Sequence, residues 1–343
     1  MSEELFGITK KYSKPFEYKG RKNKTDFPNL VKILKMTQPE LKEYCKGELK
    51  SYGYKVVSDD STDGYLYAKG KAPVLLIAHM DTVHKNVIKD YYEYYDKVKQ
   101  IHTLSSPQGI GGDDRCGVWT ILQILKVGIR PSVLFVENEE IGCLGSQTFC
   151  KSKYINDISE NIKFMVEIDR RGNNDLVFYE DNNEGWHRYC ENITGYKEAY
   201  GSYTDICELS EASGVASVNI SSGYYNEHTL EETIVVEETL HTVEAVKKMI
   251  KDCKNQPQYA YEPITWGWYD DGLYLKDNNS IHPWEVTFLD DIEEGLDDSE
   301  VAYGNNKEDA ILDFLTRVRP DIPFDYVENI EDAEKYFKKG AKI

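Results

Sequence analysis

Five short stretches of this chain carry residues able to bind a cation or move a proton. The apolar run Val74-Leu75-Leu76-Ile77-Ala78 leads directly into His79-Met80-Asp81. Residues two apart on an extended chain share a side, so His79 and Asp81 project together. Alone, such a pair needs nothing more than a mutual hydrogen bond. Asp113 and Asp114 open a segment of helical period. An N-cap role accounts for one of them. Two adjacent carboxylates near a core repel each other unless a cation is present. Glu139 and Glu140 follow a second apolar run, 132–136; Asp169 ends a third, 164–168; His228 follows a fourth, 216–220. Each acid or histidine taken singly fits a cap or a solvated loop, but five apolar runs or helix starts leading into such groups point to one site. His, Asp and Glu donors without thiolates select zinc, or manganese or cobalt. Two histidines and three carboxylates suit two ions sharing one bridging carboxylate, which leaves Glu139 unligated. Ion pairs of this kind clamp an attacking hydroxide.

The elements that must position these groups follow from the pattern around them. Continuous apolar runs suit strands covered on both faces. Helical spacing over 115–127 and 237–252 places helices between and after those strands. Upstream, 29–52 has helical period split by Pro39, with Thr37 and Glu40 spaced as a capping box. The stretches 54–57 and 65–69 flank a Ser/Asp/Gly turn and predict a hairpin. The fold class is therefore α/β: a three-layer α/β/α sandwich on a mixed, mostly parallel sheet, with ligands at the carboxyl ends of its strands. The domain reading is an N-terminal arm (1–27), a catalytic domain (28–253) and an acidic, aromatic-rich C-terminal extension (254–343), whose first residues, KNQPQYAYEP, read as a linker. From Glu285 to Glu300 there are eight acids and no Lys or Arg, which predicts a solvated face. Residues 308–318 have the spacing of a short amphipathic helix.

Composition excludes several classes. Among 343 residues, 60 acids oppose 41 bases, a net charge of −19. So acidic a chain repels phosphate backbones and anionic lipid, so neither nucleic acid nor a membrane is an expected partner. No apolar run is long enough to span a bilayer, and the first residues lack the apolar core of a secretory signal. The seven cysteines are odd in number and lack CxxC pairs, which argues against a disulfide framework. Cys116, Cys143 and Cys207 sit in apolar or small-residue surroundings and are expected to be packed and reduced. Cytoplasmic localisation fits best.

The ordered set His-x-Asp, Asp-Asp-Arg-x-Gly, Glu-Glu-x-Gly, Asp and His resembles the co-catalytic zinc exopeptidases of clan MH. Gly223-Tyr224-Tyr225-Asn226-Glu227-His228-Thr229 is especially similar to the last-histidine segment of the leucyl aminopeptidase-type branch. The resemblance covers roughly residues 30–250. It implies that His79 and Asp169 hold one zinc, Glu140 and His228 the other, and Asp113 bridges both. It also implies that Asp81 supports the site, that Glu139 is the general base, and that the Asp113–Asp114 peptide is a candidate for the cis form. Peptidase T and the glutamate carboxypeptidases place a whole domain between the last Asp and the last His. Here only 59 residues separate Asp169 from His228 (228 − 169). Glutamyl-type aminopeptidases insert a domain between the first His and the bridging Asp, where this chain has 34 residues (113 − 79). The compact branch fits better.

The implied activity is metal-dependent hydrolysis of N-terminal peptide bonds by a di-zinc-bound hydroxide. Glu139 takes the proton and returns it to the departing amine. The partner is a peptide or small amide substrate. Tyr224, Tyr225 and Tyr203 are candidates for the oxyanion, with ordinary packing as the plain alternative. Arg170 and Arg171 either meet a substrate carboxylate or offset the acids. Helix capping is expected of Asp205, and surface or packing roles of His84, His102, His187, His241 and His282. Two other functions compete: a di-metal amidase or deacetylase acting on a small acylated substrate, and a non-catalytic binding protein that kept the fold. The oligomeric state has no signature in the sequence.

Overall fold

The computed structural model describes residues 18–264 with their side chains, and beyond them the backbone of 267–269, 272–274, 282–288, 300–304 and 337–339. The chain divides into two compact units, Met1–Pro263 and Ile264–Ile343. In chain order the first contains β1 (Arg21–Lys22), α1 (Pro28–Leu34), α2 (Gln38–Ser51), β2 (Val56–Asp59), β3 (Tyr65–Ala68), β4 (Ala72–His79), β5 (Tyr92–Asp96), β6 (Ile101–Ser105), α3 (Gly112–Lys126) and β7 (Pro131–Val136). It continues through α4 (Leu144–Cys150), α5 (Tyr154–Asn161), β8 (Phe164–Arg170), β9 (Asp175–Val177), α6 (Glu184–Thr194), β10 (Lys197–Glu198), α7 (Asp205–Ser213), β11 (Ser217–Ser221), β12 (Tyr224–Tyr225), β13 (Thr233–Val235) and α8 (Val236–Asp252).

The four apolar runs become adjacent strands at the centre of an eight-stranded sheet of order β10-β9-β11-β8-β4-β7-β3-β2. Strands β7, β4, β8 and β11 run parallel, and the β2–β3 hairpin adds antiparallel to β7. Alternation along each strand divides the core. Val74, Leu76 and Ala78, with Val133, Phe135, Phe164 and Val166, pack against Leu30, Leu41, Val118, Trp186 and Val243 of α1, α2, α3, α6 and α8. Leu75 and Ile77, with Leu134, Val136 and Met165, face Phe149, Ile158, Ile206 and Leu209 of α4, α5 and α7. Because both faces are covered, these strands carry no polar alternation. The architecture is the three-layer, mixed-sheet α/β/α sandwich that the runs predicted. The backbone amide and hydroxyl of Thr37 donate to Glu40 Oε2 at 2.9 and 2.8 Å, which starts α2 where the sequence placed it.

A second sheet was not foreseen. The Tyr-rich excursion after Asp81 forms β5 and β6, which join β1, β13 and β12 in the order β1-β5-β6-β13-β12. Pairing of Thr233, Ile234 and Val235 with Ser105, Leu104 and Thr103 fixes the turn that carries His228.

The KNQPQYAYEP stretch, read as a linker, is tied to the first unit. Tyr259 N donates to Lys163 O (2.8 Å) and Ala216 N to Tyr259 O (2.9 Å). The Tyr259 ring packs on Trp186 and Tyr189. In the second unit, Gly267–Tyr269 pairs antiparallel with Gly272–Tyr274, and His282–Phe288 pairs with Glu300–Gly304 and Phe337–Lys339. The expected helix over 308–318, most of the acidic run and the His282 side chain lie outside the described residues. Among those described, no helix is long and apolar enough to cross a membrane. All seven cysteines are unpaired. Cys207 is only half-buried, whereas Cys116 and Cys143 are buried as expected.

Candidate active site at the strand ends

The parallel strands deliver their terminal residues to one edge. His79 ends β4, and its Nδ1 lies 3.1 Å from Asp81 Oδ1. That contact turns the other ring nitrogen inward, where Nε2 lies 3.1 Å from Asp113 Oδ1 and 3.4 Å from Asp169 Oδ1. A carboxylate on one ring nitrogen fixes the tautomer that leaves a lone pair on the other. His228 approaches from the second sheet, and its Nε2 lies 3.2 Å from Asp113 Oδ2 and 3.0 Å from Glu140 Oε2. Asp113 thus gives one oxygen to each histidine. The structure brings His79, Asp81, Asp113, Glu140, Asp169 and His228 together.

Local sequence explains the placement. After β7 the chain turns at Asn138, in the left-handed region (φ 61°), which Asn tolerates; its amide donates to Asp63 Oδ1 at 2.7 Å. The turned backbone then donates from Glu139 N and Glu140 N to the two oxygens of Asp81, both at 3.1 Å. Asp81 therefore ties the β4 end to the Glu-Glu turn as well as orienting His79. Glu137 is a separate matter: it is buried and paired with Lys42 of α2. Asp114 is the capping acid of the Asp-Asp pair, accepting from Gly117 N at 2.9 Å. Helix α3 crosses β8 so closely that a Cβ at Gly117 would lie 2.2 Å from Ile168 O, so only glycine fits. The Asp113–Asp114 peptide is cis.

The charge balance is lopsided. Asp81, Asp113, Asp114, Glu167 and Asp205 are buried, and Glu139, Glu140 and Asp169 nearly so. Among the described residues, His79, His228 and the buried Arg115 oppose them. Glu140 Oε1, Asp114 Oδ2 and both oxygens of Glu167 and of Asp205 are buried with no hydrogen-bond partner among the described residues. Burial and the neighbouring Asp113 push Asp169 well above the ordinary carboxylate range. Against the cost of burial, His228 and His79 hold Asp113 below it. Burial raises Glu139, with His79 opposing and Glu140 adding to the rise. Burial and the charge of Glu139 push Asp205 up to about 7. Concentrated, partly orphaned carboxylates are stable when a cation shares them. Nitrogen and oxygen donors without thiolate fit divalent zinc, manganese or cobalt.

Several groups depart from the sequence reading. Tyr224 supports the site: its hydroxyl donates to Asp169 O at 3.0 Å and lies 3.3 Å from Asp169 Oδ1. Tyr225 is engaged by Glu238 and Tyr203 by Glu208, so all three hydroxyls are already committed. Arg170 meets Asp175, and Arg171 meets Glu227, beside His228. Asp205 begins α7 but its carboxylate makes no capping bond. His84 is not an idle surface residue: its Nε2 lies 2.6 Å from Glu232. Glu232, missed from the sequence, accepts from Gly111 N and Asp113 N at 3.0 Å each and so holds the Asp113 backbone. Its only sequence trace is another Glu-Glu pair, Glu231-Glu232, shortly after His228.

A second acid–histidine group lies on the smaller sheet. Asp26, Glu93 and His102 have ligand atoms within 4.8 Å of one another. Here Glu93 already receives Arg21, the Thr25 hydroxyl and Asp26 N. His102 Nδ1 lies 2.7 Å from Glu237.

Comparison with known proteins adds a family match over part of the chain and a likeness of fold. The model of Peptidase family M28 matches residues 65–208, a span that holds His79, Asp81, Asp113, Glu139, Glu140 and Asp169 but stops before His228. No curated protein sequence matches the chain. The structure is similar to aminopeptidase PepT from Bacillus cereus, with TM-score 0.54 and 14% identity over 66% of this chain and 97% of that one. It is equally similar to a tripeptidase from Staphylococcus aureus, with TM-score 0.54 and 13% identity over 67% and 98%. At such identities the likeness establishes the fold.

Proposed function

We propose that this protein is a metal-dependent aminopeptidase of the M28 type, removing the N-terminal residue from peptides. The observation that carries the reading is Asp113, whose two oxygens face two separate histidines at the rim of the parallel strands. Two zinc ions, or manganese or cobalt, would be held by His79 and Asp169, by His228 and Glu140, and by Asp113 between them. Such ions, when bound, make hydroxide available near neutral pH and polarise a carbonyl. The protein's own groups do the rest. Glu139, left outside the ligand set, accepts a proton from the attacking water and returns it to the departing amine. Asp81 fixes the His79 ring and, through two backbone amides, the turn bearing Glu139 and Glu140. The surplus of carboxylates draws the free α-amine of a peptide, which restricts cleavage to the first bond.

The interval from Asp169 to His228 contains α6, β10 and α7 and stays within the first unit. This supports the compact, leucyl aminopeptidase-type branch. The seven unpaired cysteines suit a reducing compartment, and we place the activity in the cytoplasm.

The test is a panel of aminoacyl-anilides and dipeptides beside N-acetyl amino acids, run on wild type and Glu139→Gln. Cleavage of free-amine substrates, lost in the variant, is expected. Preference for the acetylated set would replace the aminopeptidase reading with a deacetylase.

A further inference from the structure

Helix α3 begins irregularly. Asp113 (φ −78°, ψ 108°) and Asp114 (φ −110°, ψ 43°) are not helical, and the N-cap residue, Gly111, has no side chain to offer. The first amides of a helix need acceptors from elsewhere. Glu232 supplies them. Its carboxylate is wholly buried. Oε1 accepts from Asp113 N and Oε2 from Gly111 N, both at 3.0 Å. Oε2 also lies 2.6 Å from His84 Nε2. Both oxygens are thus committed to protein groups, whereas Glu140 Oε1 and both oxygens of Asp205 have no hydrogen-bond partner among the described residues. Three segments meet on this one side chain. His84 stands in the loop that leaves His79 and Asp81, and the two amides belong to the loop of Asp113. Glu232 itself comes four residues after His228 (232 − 228). The His84 ring is seated against the chain at Gly109, where a Cβ would lie 2.1 Å from Nδ1.

Resting on the di-metal reading above, we infer that Glu232, seated by His84, is the positioning residue that aims Asp113 at two ions at once. A bridging carboxylate must offer one oxygen to each of two ions about 3.5–4 Å apart, and it turns with its own backbone. The bond from Asp113 N to Glu232 fixes that turn, and the bond from Gly111 N fixes the approach to it. Amide bonds to a buried carboxylate are among the stronger hydrogen bonds, so their loss is felt at the bridge. Groups that orient a metal ligand without touching the ion commonly govern about 10- to 100-fold in metal affinity.

Demetallated full-length protein is titrated with zinc in a calorimeter, as wild type, Glu232→Gln, His84→Phe and Glu93→Gln. Glu232→Gln keeps the shape of the side chain but removes an acceptor. His84→Phe keeps a ring against Gly109 and removes the group that meets Glu232. Glu93→Gln alters another buried carboxylate, outside the ligand set, and controls for a general loss of stability. Glu232→Gln is expected to weaken both zinc equivalents about 10- to 100-fold, and His84→Phe about tenfold. Glu93→Gln leaves both unchanged, and circular dichroism of the metal-free variants matches wild type. Should Glu232→Gln fail to fold, His84→Phe decides alone. Unchanged zinc affinity in the folded variants overturns the inference. An equal loss in Glu93→Gln does so too, because it marks a merely structural role. A loss confined to one equivalent assigns the effect to the His228 turn and removes the hold on the bridge. Wild type that takes up no zinc is a different failure: it brings down the di-metal reading, and the inference with it.

Discussion

Among the described residues, two clusters gather acids around histidine, and they differ in who supplies the counter-charge. On the smaller sheet, Glu93 is met by Arg21, Thr25 and a backbone amide, and His102 is met by Glu237. At the strand ends, eight buried or nearly buried carboxylates share two histidines and Arg115, and several oxygens have no hydrogen-bond partner among the described residues. Composition alone makes both look like metal sites. Accounting for each oxygen separates them: the first is a closed ion network, and the second is incomplete without cations.

The contrast can be broken by substitution and by chelation. The largest effect is expected at Glu139. Glu139→Gln lowers kcat by about 10²- to 10⁴-fold, the usual worth of a general base, with bound metal unchanged by elemental analysis. Retained hydrolysis would remove Glu139 from that role. Chelation comes next. Ions that bind only the folded state stabilise it by mass action, about 4 kcal/mol at a thousandfold excess over Kd. Removing them should lower Tm for wild type and for Glu93→Gln alike, because Glu93 holds no ion. Glu93→Gln itself leaves the buried end of a network short of charge and costs about 3 kcal/mol in denaturant melts, with kcat per folded molecule unchanged. A change in metal content there would erase the distinction between the clusters.

The smallest effect concerns an acid in neither cluster. Asp181 is buried, and its Oδ2 has no hydrogen-bond partner among the described residues, although Oδ1 accepts from Asn183 N and Glu262 N. Burial raises its pKa to about 6. Between its unfolded value, about 4, and 6 the folded state keeps a proton that the unfolded state has lost. Stability contributed by this group therefore falls as pH rises through that window and levels off above it. Asp181→Asn should flatten the slope and add on the order of 2 kcal/mol at pH 7, read from melts at pH 4.5 and 7.

What was legible in the sequence was what a strand writes locally. Val74–Ala78 must be covered on both faces, so the polar residues after it must emerge at an edge, and the same logic placed Glu139, Glu140 and Asp169. The parts that stayed hidden depend on partners far along the chain. Glu232 matters because it meets Gly111 and Asp113, about 120 residues away, and no spacing encodes that. Glu167 looks like an interruption in an apolar strand until alternation turns it towards Asp205. The second sheet was obscured because its strands are half-exposed and charged, so Tyr92–Asp96 carries no clean period. Asp205 fits a helix start equally well as cap or as buried acid, and only the tertiary fold decides.

The central claim is that the strand-end cluster is built for a pair of divalent ions joined through Asp113. Isothermal titration of demetallated protein with zinc, on wild type and Asp113→Ala, tests it directly. Two equivalents per chain for wild type and at most one for the variant is the predicted result. Failure of wild type to take up any zinc, or an unchanged stoichiometry in the variant, would contradict it.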